Sequence, residues 1–330
     1  MEYTELGGTG VEISRVGLGC GNFGGIGSSP QFFGAGETKE EAFALLDAAF
    51  ELGVTLLDTA DAYGGGRSER WIGEWVAARA VRERVVLSTK VFHSVEGDPE
   101  DRGLAPTRIR RQIEASLERL GVTEVDLYLI HEPDPATPIA ATLEALDGLV
   151  RSGKVGAIGA SNMDGEQLEE ALAVCADRGL ARFEWVQNSY SLLERSAERD
   201  VLPICERQGL GFTPFSPLAG GWLTGKYRRG EAAPAGSRMT LRPEPYAGFE
   251  REETFEALDV LARAAEARGV DSATLSLAWL LADARVTSVI LGPRRPSQLD
   301  PARQALELRL SEAEREELGA LFPLGARRRR

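Results

Sequence analysis

The chain has little of what would tie it to a membrane, a nucleic acid or an oxidising compartment. Across its 330 residues no segment approaches the roughly 20 uninterrupted apolar residues that a spanning helix needs. Lysine and arginine total 38 against 51 aspartates and glutamates, a net charge of −13, which opposes nucleic-acid binding through a basic surface. The three cysteines, Cys20, Cys175 and Cys205, lie far apart without paired spacing, so free thiols are expected, with no disulfide framework and no metal site. The amino terminus has no basic start leading into an apolar core; no signal peptide is expected, and a cytoplasmic location fits. No G-x-G-x-x-G follows an early strand and opens a helix, so the Rossmann dinucleotide fingerprint is missing. Low-complexity segments and interdomain linkers are missing too, which leaves a single domain over 1–330. The terminal Arg327 to Arg330 reads as part of a solvated basic tail, expected to be disordered over 321–330.

What is there centres on Leu56-Leu57-Asp58-Thr59-Ala60-Asp61-Ala62-Tyr63-Gly64-Gly65-Gly66-Arg67-Ser68-Glu69. An apolar run ends in a carboxylate, a phenol follows five residues later, glycines turn the chain, and Ser68 is placed to cap the next helix. Two more polar residues end strand-like runs in the same way: Lys90 after Val85 to Thr89, and His131 after Asp126 to Ile130. The steps from Asp58 to Lys90 to His131 match one βα unit of about 30–40 residues each. Successive strands of a parallel barrel would carry all of them at their carboxyl ends, where α/β barrels keep their chemistry.

The wider pattern agrees with a barrel. Strand-like runs are expected over 15–19, 55–58, 85–90, 125–130, 155–160, 184–188, 211–215 and 286–291. Helices are expected over 39–51, 68–80, 107–120, 139–151, 165–178, 199–208, 255–268, 273–282 and 296–306, with a further one over 311–321 led by the capping signal Ser311-Glu312-Ala313-Glu314. Glycine recurs just past helix ends, as at Gly121, Gly179 and Gly209. Before the first strand, runs at 3–6 and 11–13 flank Gly7 to Gly10 and read as a hairpin. The segment 216–250, rich in glycine, proline and arginine, is too long for an ordinary connection and is expected to fold over the site.

The run from Leu57 to Glu69, Ser88-Thr89-Lys90 and Ile130-His131-Glu132-Pro133-Asp134 together resemble aldo-keto reductases, in the branch that includes the potassium-channel β subunits. The resemblance runs from about Thr4 to about Leu310. It implies a (β/α)8 TIM barrel with an N-terminal β-hairpin and an extra C-terminal helix. It also implies a nicotinamide cofactor held without a Rossmann domain, and carbonyl reduction with Tyr63 as acid. Carried over residue by residue, Ser161, Asn162 and Gln187 would bind the nicotinamide carboxamide and Phe215 would stack on its ring. Ser216, Leu218, Gly220 and Lys226 would wrap the pyrophosphate. Gly21 and Asn22 with Phe23 would lie near nicotinamide and substrate. Gly292, Arg294 and Gln298 match the last strand end and the following helix start. Arg294 or Arg295 there would clamp a 2′-phosphate and favour NADP(H) over NAD(H). Pro301 and Ala302 stand where relatives usually carry Glu and Asn against adenine. Phe32, Phe92 and Trp222, with Phe23, are expected as pocket walls.

The residues support the same chemistry on physical grounds. Carbonyl reduction needs a proton donor for the oxygen that becomes negative. A phenol of pKa ~10 would need about 3–4 kcal/mol of phenolate stabilisation to fall by two or three units. An ammonium ~4 Å away at an effective dielectric of ~20 supplies about 4 kcal/mol, so Lys90 suffices for Tyr63. Asp58 would keep Lys90 charged, and His131 would bond the carbonyl oxygen. Each residue alone also has a plain structural role: a cap, a loop aromatic, a solvated strand end, a satisfied polar group. Two other functions remain open at this point, a cofactor-binding regulatory subunit with slow turnover and a barrel lyase in which Lys90 forms a Schiff base.

Overall fold

A computed structural model describes residues 1–324. Eight parallel strands form one sheet, in which Val289–Leu291 lies beside Val16–Gly19 and each later strand lies beside the one before it in the chain, and a separate two-stranded hairpin precedes them. The hairpin is β1 (Tyr3–Glu5) with β2 (Glu12–Ser14), followed by β3 (Val16–Gly19), β4 (Leu56–Asp58), β5 (Val86–Val91), β6 (Val125–Ile130), β7 (Val155–Ser161), β8 (Phe183–Gln187), β9 (Gly211–Phe212) and β10 (Val289–Leu291). The helices are α1 (Lys39–Glu51), α2 (Arg67–Arg79), α3 (Pro106–Leu120), α4 (Ile139–Arg151), α5 (Gly165–Arg178), α6 (Val201–Gln208), α7 (Arg238–Leu241), α8 (Glu252–Glu266), α9 (Ser272–Leu281), α10 (Asp300–Glu307) and α11 (Glu312–Ala320). The ring closes where Thr287 N donates to Phe212 O at 2.8 Å and Ile290 N donates to Pro214 O at 2.9 Å. This is the (β/α)8 barrel expected from the alternation.

Strand parity divides the core into two layers. Along β6, Leu127 and Leu129 join the barrel-interior cluster with Leu6, Ile13, Leu56 and Trp185. The alternate residues Tyr128 and Ile130 belong to the outer layer packed by helices. A period of two does this because successive side chains leave opposite faces of a strand. Leu6 and Ile13, fully buried, come from the hairpin, which therefore plugs the floor of the barrel. Outside, α3 buries Ile109, Ile113, Leu117 and Leu120, one stripe of a helix whose other positions are mostly charged. Capping boxes Thr38–Glu41, Asp164–Gln167 and Ser311–Glu314 start α1, α5 and α11.

Several boundaries differ from the expected ones for local reasons. Ser68 does not cap α2; Gly66, in the left-handed conformation at φ 80°, stands at that position. Ser68 instead sits buried inside the helix, donating to Cys20 O at 3.0 Å and sharing a 2.8 Å bond with Thr59 Oγ1. It thus ties α2 to the ends of β3 and β4. The strand expected over 211–215 stops at Phe212, because Pro214 has no N–H and serves the sheet only as an acceptor. At the carboxyl end, Phe322 is buried and its carbonyl accepts from Arg195 Nη1 at 3.2 Å, so packed chain continues past α11. The terminal arginines Arg327 to Arg330 lie outside the described residues. The cysteines are free and buried, with Cys20 just past β3, Cys175 in α5 and Cys205 in α6. Burial pushes their thiols up, that of Cys175 to about 11 and that of Cys205 to about 12.

Candidate active site

β4 and β5 pair in register with Asp58 opposite Ser88, which brings Lys90 to the same end of the barrel as Asp58. Lys90 is fully buried, and its Nζ donates to Asp58 Oδ2 at 2.7 Å and to Thr59 O at 2.8 Å. The other carboxylate oxygen, Oδ1, accepts from Gln187 Nε2 at 3.0 Å and from Ser88 Oγ at 3.3 Å. Gln187, expected against a carboxamide, fixes Asp58. A buried ion pair holds only when its remaining hydrogen-bonding groups are satisfied, and these partners satisfy them. Desolvation pulls the Lys90 ammonium down, but Asp58 and Tyr63 outweigh it and leave its pKa above the ordinary lysine value.

Tyr63 stands on the loop after β4, with Lys90 Nζ 5.2 Å from its ring centre and its hydroxyl 3.4 Å from His131 Nε2. The turn that places it needs Gly64, at φ 59°, where a Cβ would come within 2.3 Å of Phe23 O. In the chain by itself the phenol pKa is raised, not lowered as expected, because burial outweighs the attraction of Lys90. His131 moves the other way: burial first, then His93 and Lys90, hold its pKa well below the usual histidine range. A neutral imidazole and a protonated phenol thus meet above a buried ammonium. Asn162 Nδ2 donates to His131 O at 3.0 Å and to Ser161 Oγ at 3.2 Å, anchoring the β6 end to the β7 end.

These groups open onto a cleft of about 2210 Å³, several times the ~300–1,000 Å³ of a single small-molecule pocket. Asp58, Tyr63 and His131 line it, as do the candidate cofactor residues Gly21, Asn22, Ser161, Asn162, Gln187, Phe215, Ser216 and Gly292. Asn162 (φ 58°) and Ser216 (φ 54°) are among the few non-glycine residues in the left-handed region. Such conformations cost energy and gather at ligand sites. Leu218, Gly220, Lys226, Arg294 and Gln298 are not among the residues that line the cleft. Lys226 folds across Gly221, where a Cβ would meet its Cε at 2.2 Å. Arg294 is engaged: its Nε donates to Glu37 Oε1 at 2.7 Å, its Nη1 to Gly236 O at 3.2 Å, and its backbone N to Gln298 Oε1 at 2.7 Å. Burial, followed by Arg238, Arg294 and Arg295, depresses the Lys226 ammonium, so four cations crowd one region.

The sequence reading missed two residues here. Arg238, on α7 in the long 216–250 segment, lines the cleft and donates to Asn22 Oδ1. Its signal was only an arginine in a loop. Glu37 is buried at the head of α1, and burial raises its pKa although Arg294 pairs with it. Asp61, in the central motif, is a third surprise. It is fully buried, neither oxygen has a hydrogen-bond partner among the described residues, and desolvation with the nearby Glu69 carries its pKa to about 8. A shift of that kind marks functional sites statistically, but Asp61 does not border the cleft, and its backbone N instead holds Lys90 O at 3.0 Å.

None of the aromatic walls expected for the substrate lines the cleft. Trp222 is 1% exposed and packs on Tyr227 and Phe255, with ring centres at 5.0 and 5.6 Å. Phe23 and Phe92 are buried in the outer core layer, and Phe32 sits half-buried in a short turn beside the glycine loop. Loop aromatics found drier places than the mouth, because burying an aromatic side chain is worth more than half-exposing it.

A parallel barrel closed by a hairpin, with ionisable side chains collected at the carboxyl ends of its strands and a cleft of about 2210 Å³ above them, defines an α/β-barrel enzyme architecture. The sequence model of the Aldo/keto reductase family matches residues 15–321. The chain is 38% identical over 333 residues to an uncharacterized oxidoreductase of Bacillus subtilis, covering 98% of this chain and 96% of that protein. It is 32% identical to the NADH-specific methylglyoxal reductase of Escherichia coli, covering 95% and 96%. A probable voltage-gated potassium channel subunit beta of rice is 34% identical, covering 93% and 92%. The chain belongs to the aldo/keto reductase family, whose members use nicotinamide cofactors.

Proposed function

We propose that the chain reduces aldehyde and ketone carbonyls to alcohols, with NADP(H) preferred over NAD(H) and Tyr63 as general acid. The observation that carries this reading is the dry Asp58–Lys90 pair set beneath a Tyr63 hydroxyl that itself meets His131. Bound nicotinamide supplies the hydride. Tyr63 and His131 hold the carbonyl oxygen between the phenol and Nε2. Burial keeps the phenol protonated at neutral pH, as a donor must be. As the proton leaves, the fixed ammonium of Lys90 faces the phenolate that forms, and Asp58, held by Gln187 and Ser88, keeps that ammonium charged. His131, neutral, stays a hydrogen-bond partner and does not compete for the charge. A lysine so firmly protonated is a poor Schiff-base nucleophile, which disfavours the lyase reading.

The residues present fit a dinucleotide. Phe215 offers a half-buried ring on the cleft wall, and Ser161, Asn162 and Gln187 offer amide and hydroxyl groups. Ser216, Leu218, Gly220 and Lys226 would follow the pyrophosphate. The crowding of Lys226, Arg238, Arg294 and Arg295 is relieved by an anion, and Glu37 is the carboxylate that partly does so already. Arg294 and Arg295 as a 2′-phosphate clamp support NADP(H), while the relative named as NADH-specific makes the preference an experiment. No helix among the described residues is long and apolar enough to cross a membrane, and the free cysteines suit a reducing cytoplasm.

The test is the absorbance decay of NADPH and of NADH with aromatic, aliphatic and sugar-derived carbonyls, on wild type and Tyr63→Phe together. Tyr63→Phe should keep cofactor binding and lose turnover by a factor on the order of 10² or more. Equal turnover in the two proteins removes Tyr63 as the acid. Cofactor binding with no carbonyl-driven oxidation at all would favour a cofactor-binding regulatory subunit.

A further inference from the structure

The connection from β5 to α3, residues 92–105, contains no helix or strand, yet His93, Ser94, Gly97, Pro99, Arg102 and Leu104 from it line the cleft. It belongs to a particular side of the mouth. The candidate cofactor residues come from β7 and β8 or from the chain following β3, β7, β9 and β10, whereas the chain following β4, β5 and β6 carries Tyr63, this connection and His131. On the reading above, residues 92–105 are therefore wall for the carbonyl compound. A connection this long keeps one shape only if something grips it, because its backbone groups have no ladder to join.

The grip comes from one side chain. Arg108, in the first turn of α3, is buried and does not itself line the cleft. Its Nη2 donates to His93 O at 2.6 Å, its Nη1 to Gly103 O at 3.2 Å and its Nε to Asp101 Oδ1 at 3.3 Å. One guanidinium thus holds the connection near its start and near its end. Gly103 N donates to Phe92 O at 2.8 Å across the same neck. Behind the guanidinium, Asp61 Oδ2 lies 3.9 Å from Nη2, beyond hydrogen-bond reach. Burial and Glu69 carry the Asp61 pKa to about 8, so at neutral pH it is uncharged and leaves those donors to the loop carbonyls.

Meeting both carbonyls takes the flat fork of an arginine. A lysine offers a single ammonium on a flexible stem and cannot reproduce the fixed directions of Nη1 and Nη2. A separate anchor, from Leu104 N to Asp134 Oδ2 at 2.7 Å, ties the connection to the chain after β6 without Arg108. Loss of the guanidinium should therefore release the neck and leave the barrel folded.

We infer that Arg108 is a positioning residue: by tying His93 to Gly103 it sets the 92–105 wall at the distance from Tyr63 and His131 that a bound carbonyl compound requires. This rests on the carbonyl-reductase reading above and adds the residue that fixes the substrate side of that site. A displaced wall weakens binding of the carbonyl compound, while the proton and hydride steps of the bound compound stay with the unchanged tetrad.

The experiment takes Arg108→Lys and Arg108→Met, with benzaldehyde and hexanal as probes at saturating NADPH, and adds hydrogen exchange of the intact protein read by mass spectrometry. Arg108→Met should raise KM for both aldehydes at least about tenfold and Arg108→Lys by less, with kcat and the NADPH dissociation constant each within about threefold of wild type. Amides across 92–105 should exchange faster in both variants, while those of β5 and β6 keep their wild-type rates. Should Arg108→Met not fold, Arg108→Lys decides. Faster exchange with an unchanged KM, or a loss confined to kcat, would overturn the inference alone, because the released segment would not be one that the substrate meets. Unchanged exchange would overturn it too, since the guanidinium would not be what holds the wall. Turnover of neither aldehyde by wild type, with cofactor bound, would overturn the carbonyl-reductase reading and this one with it.

Discussion

At one end of the cleft Lys90 is fully buried and every polar atom of its carboxylate partner is matched by a side chain on a strand end. At the other end Lys226, Arg238 and Arg294 come from a long connection and from the turn after β10 and repel one another, and the buried carboxylate beside them, Glu37, pairs with Arg294 while its Oε2 has no partner among the described residues. The first arrangement is complete as it stands. The second is short of negative charge. A rigid, satisfied constellation suits a group that must be positioned before the reaction begins, since preorganised charges cost no rearrangement at the transition state. A crowded cationic loop suits a group that arrives and leaves, since binding relieves the crowding and release restores it.

Disturbing each end should separate these two roles. The largest effect is expected at Lys90: Lys90→Met should cut kcat by about 10²–10⁴-fold while the dissociation constant for cofactor moves little, measured by single-turnover kinetics and fluorescence titration. A change in cofactor affinity alone would merge the two ends into one binding site. Next comes Asp61, which lies beside the rigid end without facing the cleft. Its folded-state pKa of about 8 is far above the ordinary 3.8. Between those values the folded protein keeps a proton that the unfolded chain has lost, so this group's contribution to stability falls as pH rises from about 4 to about 8 and is lowest above 8. Asp61→Asn should therefore melt like wild type near pH 4 and gain stability towards pH 8, by up to a few kcal/mol. A constant offset across that range would mean Asp61 is charged in the fold. The smallest effect belongs to the loose end: Arg294→Ala with Arg295→Ala should raise the NADPH dissociation constant about tenfold and that for NADH by less, read by titration at fixed ionic strength. Equal losses on both would assign the pair to the shared part of the dinucleotide.

The same contrast explains what could be read from the sequence. Strand ends are legible because a buried run must alternate or stay apolar, and a carboxylate, ammonium or imidazole at its end breaks that rule visibly; Asp58, Lys90 and His131 each did so. The barrel followed from their spacing. Arg238 was hidden because 216–250 has no period to break, and only the fold brings it to Asn22. Phe32, Phe92 and Trp222 misled for a related reason: an aromatic on a loop has no face assigned by sequence, and packing decided in favour of the interior. Ser68 was read as a cap from its type alone, whereas Gly66 could take the left-handed turn and Ser68 was left to bridge two strand ends.

The three sealed thiols turn the barrel into its own stopwatch. Cys20 lies at the carboxyl end of β3, Cys175 on the fifth helix and Cys205 on the sixth, each buried with its thiolate suppressed. An alkylating reagent reacts with thiolate and so must wait for each sector to open. The order in which the three masses appear under native conditions would rank those sectors by opening rate, with no residue changed and no label added beforehand. Cofactor, if it grips the strand ends, should slow the first of them most.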